Sequence, residues 1–137
     1  MKKIYFCASV TGGRDNANIY YDAVNILKEH FIILTEHLAS KNLTAMGENN
    51  LTRKEIYERD IDYLNNCDFV IAECSTPSLG VGYELCYAEK IGKPSFVLFK
   101  NAPNKRLSAM IEGNEYYKVI YYDDISDAIE QIITEMK

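Results

Sequence analysis

The chain has 137 residues, of which 47% are hydrophobic and 26% charged, and its formal charge is −5 at neutral pH. This composition is typical of one folded domain over residues 1–137 and favours neither a disordered nor a fibrous protein. No apolar run approaches the roughly 20 residues of a membrane span, and the negative charge argues against a nucleic-acid partner. Because the N-terminus reads as a strand rather than a secretory signal, we expect a cytoplasmic protein.

Five apolar runs of strand length alternate along the chain with helical stretches. The strands are predicted at 4–8, 32–34, 69–72, 95–99 and 119–121, and the helices at 18–30, 52–65, 79–91 and 124–136. Apolar strands that alternate with amphipathic helices indicate a parallel sheet covered on both faces. We therefore predict an α/β fold with a doubly wound, five-stranded parallel sheet in flavodoxin-like order. Its ligand site should lie where the first and third strands end.

The loop after the first strand, residues 8–15 (ASVTGGRD), has two glycines, two hydroxyls and an arginine before a helix. Converging backbone N–H groups and the Arg14 side chain could cradle a phosphate. A tight strand-to-helix turn that needs glycine for a positive φ explains the same residues without a ligand. The loop matches neither the dinucleotide-binding fingerprint nor a P-loop.

The residues after the third strand, 75–85 (STPSLGVGYEL), place Glu84 about one turn inside a helix that begins near Leu79. Val81, Tyr83 and Leu85 should limit water around its carboxylate, which raises the pKa of a carboxyl group and suits it to act as a nucleophile or acid. Alternatively, Glu84 is a surface residue stabilised by the positive end of the helix dipole.

Three other side chains could reach the same crevice. Asp60 lies near the buried stripe of its helix, although most acids in such a charged helix are simply solvated. His37 could contact a base or merely cap the second strand, and Tyr5 could reach the crevice floor. Two carboxylates and a tyrosine are the minimal equipment for cleaving a glycosidic bond.

The four cysteines, at positions 7, 67, 74 and 86, form no C-x-x-C pair and have no zinc-site spacing. We interpret them as reduced, mostly buried thiols. Since no ligand cluster is visible, we expect neither a metal nor another cofactor.

Four blocks in chain order resemble a known family. They are IYFCAS (4–9) with GGR (12–14), LTEH (34–37), TPSLGVGYEL (76–85) and LSAMI (107–111). They resemble the 2'-deoxynucleoside 5'-phosphate N-hydrolases of the nucleoside 2-deoxyribosyltransferase superfamily. The resemblance implies hydrolysis of 2'-deoxynucleoside 5'-monophosphates to a free base and 2-deoxyribose 5-phosphate. The alternative is a transferase that passes deoxyribose between bases through the same intermediate.

The resemblance also implies roles for three catalytic residues. Glu84 matches the nucleophile that forms a covalent deoxyribosyl intermediate. Asp60 matches the aspartate that positions the sugar and assists proton transfer, and Tyr5 matches the tyrosine that orients the nucleophile.

Substrate-binding positions follow from the same resemblance. The 5'-phosphate positions match Ser9, Gly12, Ser78 and Ser108, and Ser108 should arrive from the second subunit of a homodimer. His37 falls in the base pocket. The other substrate-binding residues implied are Val10, Thr11, Arg14, Gly80, Gly82 and Met110.

One position departs from the family pattern. Thr11 stands where the hydrolases carry an arginine on the phosphate, so a charge-assisted donor is missing. Arg14 or Arg106 could supply the charge, or the enzyme could accept unphosphorylated nucleosides.

Overall fold

The computed structural model describes residues 1–9, 14–36 and 50–137, with the backbone alone for 14–17. In chain order the elements are β1 (Lys3–Ala8), α1 (Arg14–Leu27), β2 (Ile32–Ile33), α2 (Arg53–Asn66), β3 (Phe69–Glu73), α3 (Leu79–Lys90), β4 (Ser95–Lys100), α4 (Ala109–Glu112), β5 (Lys118–Tyr122) and α5 (Ile125–Met136). The strands are all parallel, in the order β2-β1-β3-β4-β5. This order confirms the predicted doubly wound sheet, whereas the short α4 was not predicted. None of the described helices has the length and apolar character needed to cross a membrane.

Different helices bury the two faces of the sheet, because neighbouring strand residues point to opposite sides. Ile4 and Phe6 of β1 pack in a cluster with α1 and α5. Tyr5, between them, packs in a second cluster with α2 and α3. Tyr5 therefore lies beneath the two helices that carry Asp60 and Glu84.

The β2 strand ends one residue before the predicted run does, and the Thr35 side chain explains why. The Leu34 N–H still donates to the Ile4 carbonyl at 3.0 Å. Beyond it, the Phe6 N–H donates to Thr35 Oγ1 at 3.1 Å, and that hydroxyl donates to the Phe6 carbonyl at 2.6 Å. The fully buried Thr35 side chain thus satisfies the β1 backbone where a longer β2 would have done so.

A buried carboxylate ties together the carboxyl ends of three strands. Glu73, the last residue of β3, is only 5% exposed. It accepts hydrogen bonds from the Ser75 N–H (2.9 Å), the Ser75 hydroxyl (2.6 Å) and the Tyr122 hydroxyl at the end of β5 (2.5 Å). Ser75 Oγ also accepts from the Lys100 N–H at the end of β4, at 2.8 Å. These bonds fix the start of the loop between β3 and α3.

We expect Tyr122→Phe to lower the free energy of unfolding by about 1–3 kcal/mol, because the buried Glu73 carboxylate loses one of its donors. Tyr121→Phe is the matched control. Tyr121 is 46% exposed and donates to the exposed Glu112, so its loss should cost at most about 0.5 kcal/mol. Urea denaturation followed by circular dichroism measures both variants. Equal losses in the two would contradict a stabilising role for the Glu73 network.

Candidate active site

Glu84 lies on the face of α3 that packs against the sheet. Val81 is three residues before it and Ala88 four residues after it, and both are buried. Residues at these spacings share one side of a helix, so the surface alternative for Glu84 does not hold. Tyr83, which was expected to limit water around Glu84, is instead 56% exposed. Its ring contacts Tyr57 of α2 edge-on, with the centroids 6.4 Å apart.

The Tyr5 hydroxyl donates a hydrogen bond to Glu84 Oε2. Tyr5 is completely buried, and this burial, together with the negative charge of Glu84, raises the pKa of the phenol far above its usual range. The phenol therefore stays protonated at any pH at which the protein works, and it remains a hydrogen-bond donor to the carboxylate.

Burial raises the pKa of the Glu84 carboxyl to about 7. The hydrogen bond from Tyr5 lowers this pKa, and the negative charge of Asp60 raises it. Near neutral pH a substantial fraction of Glu84 is therefore ionised while its carboxylate remains poorly hydrated. A carboxylate in this state can attack an electrophilic carbon or exchange a proton.

Asp60 brings a second carboxylate to the same region from α2. Its Oδ1 accepts hydrogen bonds from Arg59 Nε at 3.0 Å and Arg59 Nη2 at 2.9 Å. The Asp60 side chain is 21% exposed, and its charge acts on both Glu84 and Tyr5. The structure thus brings together the three residues for which the resemblance implies catalytic roles.

A cavity of about 840 Å³ lies at the start of α3, and Ser78, Gly82 and Ser108 are among the residues that line it. This volume is within the usual range for a small-molecule site. Glu84 is not in the lining, but it is close. A Cβ placed on Gly80 would lie 3.8 Å from both Ser78 Oγ and Glu84 Oε1. Ser78, at the cavity wall, and the Glu84 carboxylate therefore both lie close to Gly80 in the first turn of α3.

Ser78 and Ser108 each cap a helix. Ser78 Oγ accepts a hydrogen bond from the Val81 N–H at 3.2 Å, and Ser108 Oγ accepts one from the Met110 N–H at 3.3 Å. A hydroxyl that accepts in this way still has its own hydrogen to donate. Both serines can therefore donate to a ligand in the cavity.

The other predicted binding residues fall into three groups. Ser9 follows β1 directly and is 8% exposed. It lies at the carboxyl ends of β1 and β3, where Ala8 pairs with Glu73. Gly80 and Met110 are absent from the described cavity lining, and Met110 is 83% exposed. The remaining positions lie outside the residues or side chains that the structure describes; they are Val10, Thr11, Gly12, Arg14 and His37.

The loop between β4 and α4 contributes cavity residues that sequence reasoning missed. Lys105 and Leu107 line the cavity beside Ser108. Their position after the fourth strand could have indicated this in the sequence, because the carboxyl ends of parallel strands lie at the same end of the sheet, where ligands bind. The Glu73–Tyr122 contact was also missed, because it joins residues 49 positions apart.

Burial keeps three of the four thiols protonated. It raises the pKa of Cys7 well above its usual range, that of Cys67 to about 11 and that of Cys74 to about 12. A thiol that is not ionised is a poor nucleophile. Within the described parts of the chain, no group of three His, Cys, Asp or Glu residues could hold a metal ion.

Residues 4–123 match the family model described as nucleoside 2-deoxyribosyltransferase. The 5-hydroxymethyl-dUMP N-hydrolase of Tetraodon nigroviridis is 40% identical over 136 residues, covering 97% of this chain and 95% of that protein. The enzyme of the same name from Danio rerio is 39% identical over 133 residues, covering 96% and 93%.

A solved structure of similar fold is the CMP N-glycosidase of Clostridium botulinum. It has a TM-score of 0.65 and 16% identity, covering 96% of this chain and 98% of that one. Identity this low supports the fold alone. The match to the family model and the two relatives confirm the resemblance seen in the sequence. The chain belongs to the nucleoside 2-deoxyribosyltransferase family.

Proposed function

We propose that the protein hydrolyses the N-glycosidic bond of 2'-deoxynucleoside 5'-monophosphates, releasing a free base and 2-deoxyribose 5-phosphate. The observation that carries this proposal is the partly buried Glu84 carboxyl, which accepts a hydrogen bond from Tyr5 and has a pKa of about 7. The names of the relatives from Tetraodon and Danio add support, because both are hydrolases of 5-hydroxymethyl-dUMP, a nucleotide of this class.

In the proposed first step, the Glu84 carboxylate attacks the anomeric carbon. The glycosidic bond breaks, and the base leaves with the bonding electron pair and takes up a proton. Water then attacks the same carbon and loses a proton, and Glu84 leaves as a carboxylate. The transition states resemble an oxocarbenium ion, so an electron-withdrawing 2'-hydroxyl would disfavour them. In this scheme Asp60 positions the sugar and assists proton transfer.

Tyr5 orients the nucleophile in this scheme. It holds Glu84 Oε2 from the sheet side, whereas Oε1 lies toward Gly80 and Ser78 at the start of α3. Oε1 is therefore the oxygen we assign to the attack. The sugar would lie between this oxygen and the cavity.

For the 5'-phosphate we propose contacts to Ser9, Gly12, Ser78 and Ser108, and for the base a contact to His37. The cavity lining supports the assignment of Ser78, which lies at the cavity wall at the start of α3. The loop residues Val10, Thr11 and Arg14 and the helix residues Gly80, Gly82 and Met110 complete the proposed substrate-binding set.

We also propose a homodimer in which Ser108 of one protomer completes the site of its partner. Support comes from the exposed apolar side chains beside the cavity, where Leu79 is 97% exposed and Met110 is 83% exposed. Covering them with a second copy of the chain would remove apolar surface from water.

We expect the wild-type protein to release free base from at least one deoxynucleoside monophosphate, with 5-hydroxymethyl-dUMP as the first to test. Glu84→Gln should lower kcat by about a thousandfold or more, because an amide cannot replace the nucleophile. Chromatography of the released base measures both.

Glu89→Gln is the matched control for Glu84→Gln. It lies on the same helix and accepts hydrogen bonds from Asn114 and Tyr117, which a glutamine oxygen can also accept, so activity should be retained. A folded wild-type protein that releases no base from any deoxynucleotide would refute the proposed function.

Transfer to a second base is the alternative outcome of the same chemistry. An added free base would then compete with water for the intermediate. If a new nucleotide accumulates faster than 2-deoxyribose 5-phosphate, the protein is a deoxyribosyltransferase. If the sugar phosphate accumulates at an unchanged rate, it is a hydrolase.

Activity should rise with pH through about 7, because Glu84 must lose its proton to attack. Tyr5→Phe removes the hydrogen bond that lowers the Glu84 pKa, so the acidic limb of kcat/KM should move to higher pH. A pH–rate profile of the two proteins measures this shift. A limb that stays in place or moves to lower pH would contradict the role of Tyr5.

Mixing two impaired variants tests whether Ser108 acts across the dimer. Glu84→Gln and Ser108→Ala proteins, unfolded and refolded together, should recover up to about a quarter of wild-type activity, because half of the dimers are mixed and each mixed dimer has one intact site. Activity no higher than the mean of the separate variants would show that Ser108 serves its own protomer.

A further inference from the structure

Arg59 differs from its neighbours on the charged helix α2 because most of its side chain is withdrawn from water. The Arg59 side chain is 19% exposed and that of its partner Asp60 is 21% exposed. Lys54 and Glu58 pair at 3.7 Å on the same helix, but their side chains are 86% and 60% exposed. Ion pairs at such open sites contribute little, because water and salt screen them. The pair of Arg59 and Asp60 is screened less.

The contact between Arg59 and Asp60 does not follow from the helical repeat. Adjacent residues of an α-helix do not face each other, so the Arg59 side chain bends back toward its neighbour. Its guanidinium donates from Nε at 3.0 Å and from Nη2 at 2.9 Å, and both hydrogen bonds reach Asp60 Oδ1. Two charge-assisted bonds from one planar group restrict the position of the oxygen that accepts them. The Asp60 carboxylate is thus held through one of its two oxygens.

Tyr63, one turn further along α2, restrains the guanidinium itself. The guanidinium carbon of Arg59 lies 5.9 Å from the centre of the Tyr63 ring, which is within the range of a cation–π contact. Tyr63 in turn packs against the core cluster that contains Tyr5. The position of the Asp60 carboxylate is therefore linked to the core through Arg59 and Tyr63.

We propose that Arg59 is a positioning residue, which holds Asp60 through Oδ1 so that Oδ2 is the oxygen presented to the sugar. This inference rests on the proposed function, in which Asp60 positions the sugar and assists proton transfer. Both tasks need the carboxylate at a fixed place, because a reacting group misplaced by about 1 Å can cost a hundredfold in rate. The negative charge of Asp60 also acts on Glu84 and Tyr5, so its displacement would be felt at the nucleophile as well.

A double-mutant cycle tests whether Arg59 acts through Asp60. Arg59→Gln should lower kcat/KM for deoxynucleoside monophosphates about tenfold or more, because the Asp60 carboxylate is no longer held in place. In the Asp60→Asn background the same substitution should change kcat/KM by less than about twofold, because the carboxylate that Arg59 orients is already absent. Equal losses in the two backgrounds, or no loss in either, would overturn the proposal.

Two further variants separate the position of the guanidinium from its charge. Lysine keeps the cation but lacks the planar fork, so Arg59→Lys should recover part of the activity that Arg59→Gln loses. Lys54→Gln is the matched control, because it removes a cation and an exposed ion pair from the same helix. It should leave kcat/KM unchanged. If Lys54→Gln lowers kcat/KM as much as Arg59→Gln does, the effect is one of net charge and the proposal fails.

Calorimetry separates this inference from the proposed function, because binding needs no turnover. In the Glu84→Gln background, Arg59→Gln should weaken the Kd for dUMP about fivefold, and this loss should disappear when Asp60→Asn is also present. The Kd for inorganic phosphate, which has no sugar, should be unchanged. If this pattern holds while the wild type releases no base, the role of Arg59 stands and the hydrolase proposal fails. A loss for dUMP that persists with Asp60→Asn, or an equal loss for phosphate, would overturn the role of Arg59.

Discussion

The site depends on the partly buried hydrogen bond between the Tyr5 hydroxyl and the Glu84 carboxylate. Tyr5 belongs to the core cluster between the sheet and helices α2 and α3. Removing a carboxylate from water favours its protonated form. The Tyr5 phenol stays protonated at working pH, and its hydrogen bond stabilises the charged form of Glu84. The negative charge of Asp60 has the opposite effect and favours the protonated form of Glu84. The resulting pKa of about 7 reflects a balance between burial and one hydrogen bond. Such a carboxylate is both available in its charged form and poorly solvated.

The contact between Tyr5 and Glu84 results from the alternation of side chains along β1 and from the helical repeat of α3. Alternation along β1 sends Tyr5 to the face beneath α2 and α3 while its neighbours face α1 and α5. A slip of one residue in the β1 register would move Tyr5 to the wrong side of the sheet. The helical repeat of α3 places Glu84 on the same side as Val81 and Ala88. Glu73 supports the arrangement from the strand ends, because it fixes the loop that leads to Ser78.

The fold could be predicted from the sequence because the apolar runs and helical stripes are local patterns. The same holds for Glu84, which follows a distinctive glycine-spaced turn. Asp60 stayed ambiguous, since a charged helix offers several acids and only packing selects one. The Glu73–Tyr122 bond is invisible to local patterns, because only the strand order brings these two residues together. The place of Lys105 at the cavity depends on the conformation of an exposed loop, which residue spacing does not determine.

The most direct test of the central claim is a titration of the Glu84 side-chain carboxyl, followed by its ¹³C chemical shift in the wild-type protein. Assignment comes from the signal that disappears in Glu84→Gln. The balance of burial and the Tyr5 hydrogen bond predicts a midpoint of about 7. A midpoint at the ordinary value of 4.5 would show a solvated carboxylate and contradict the account of Glu84 as a buried nucleophile.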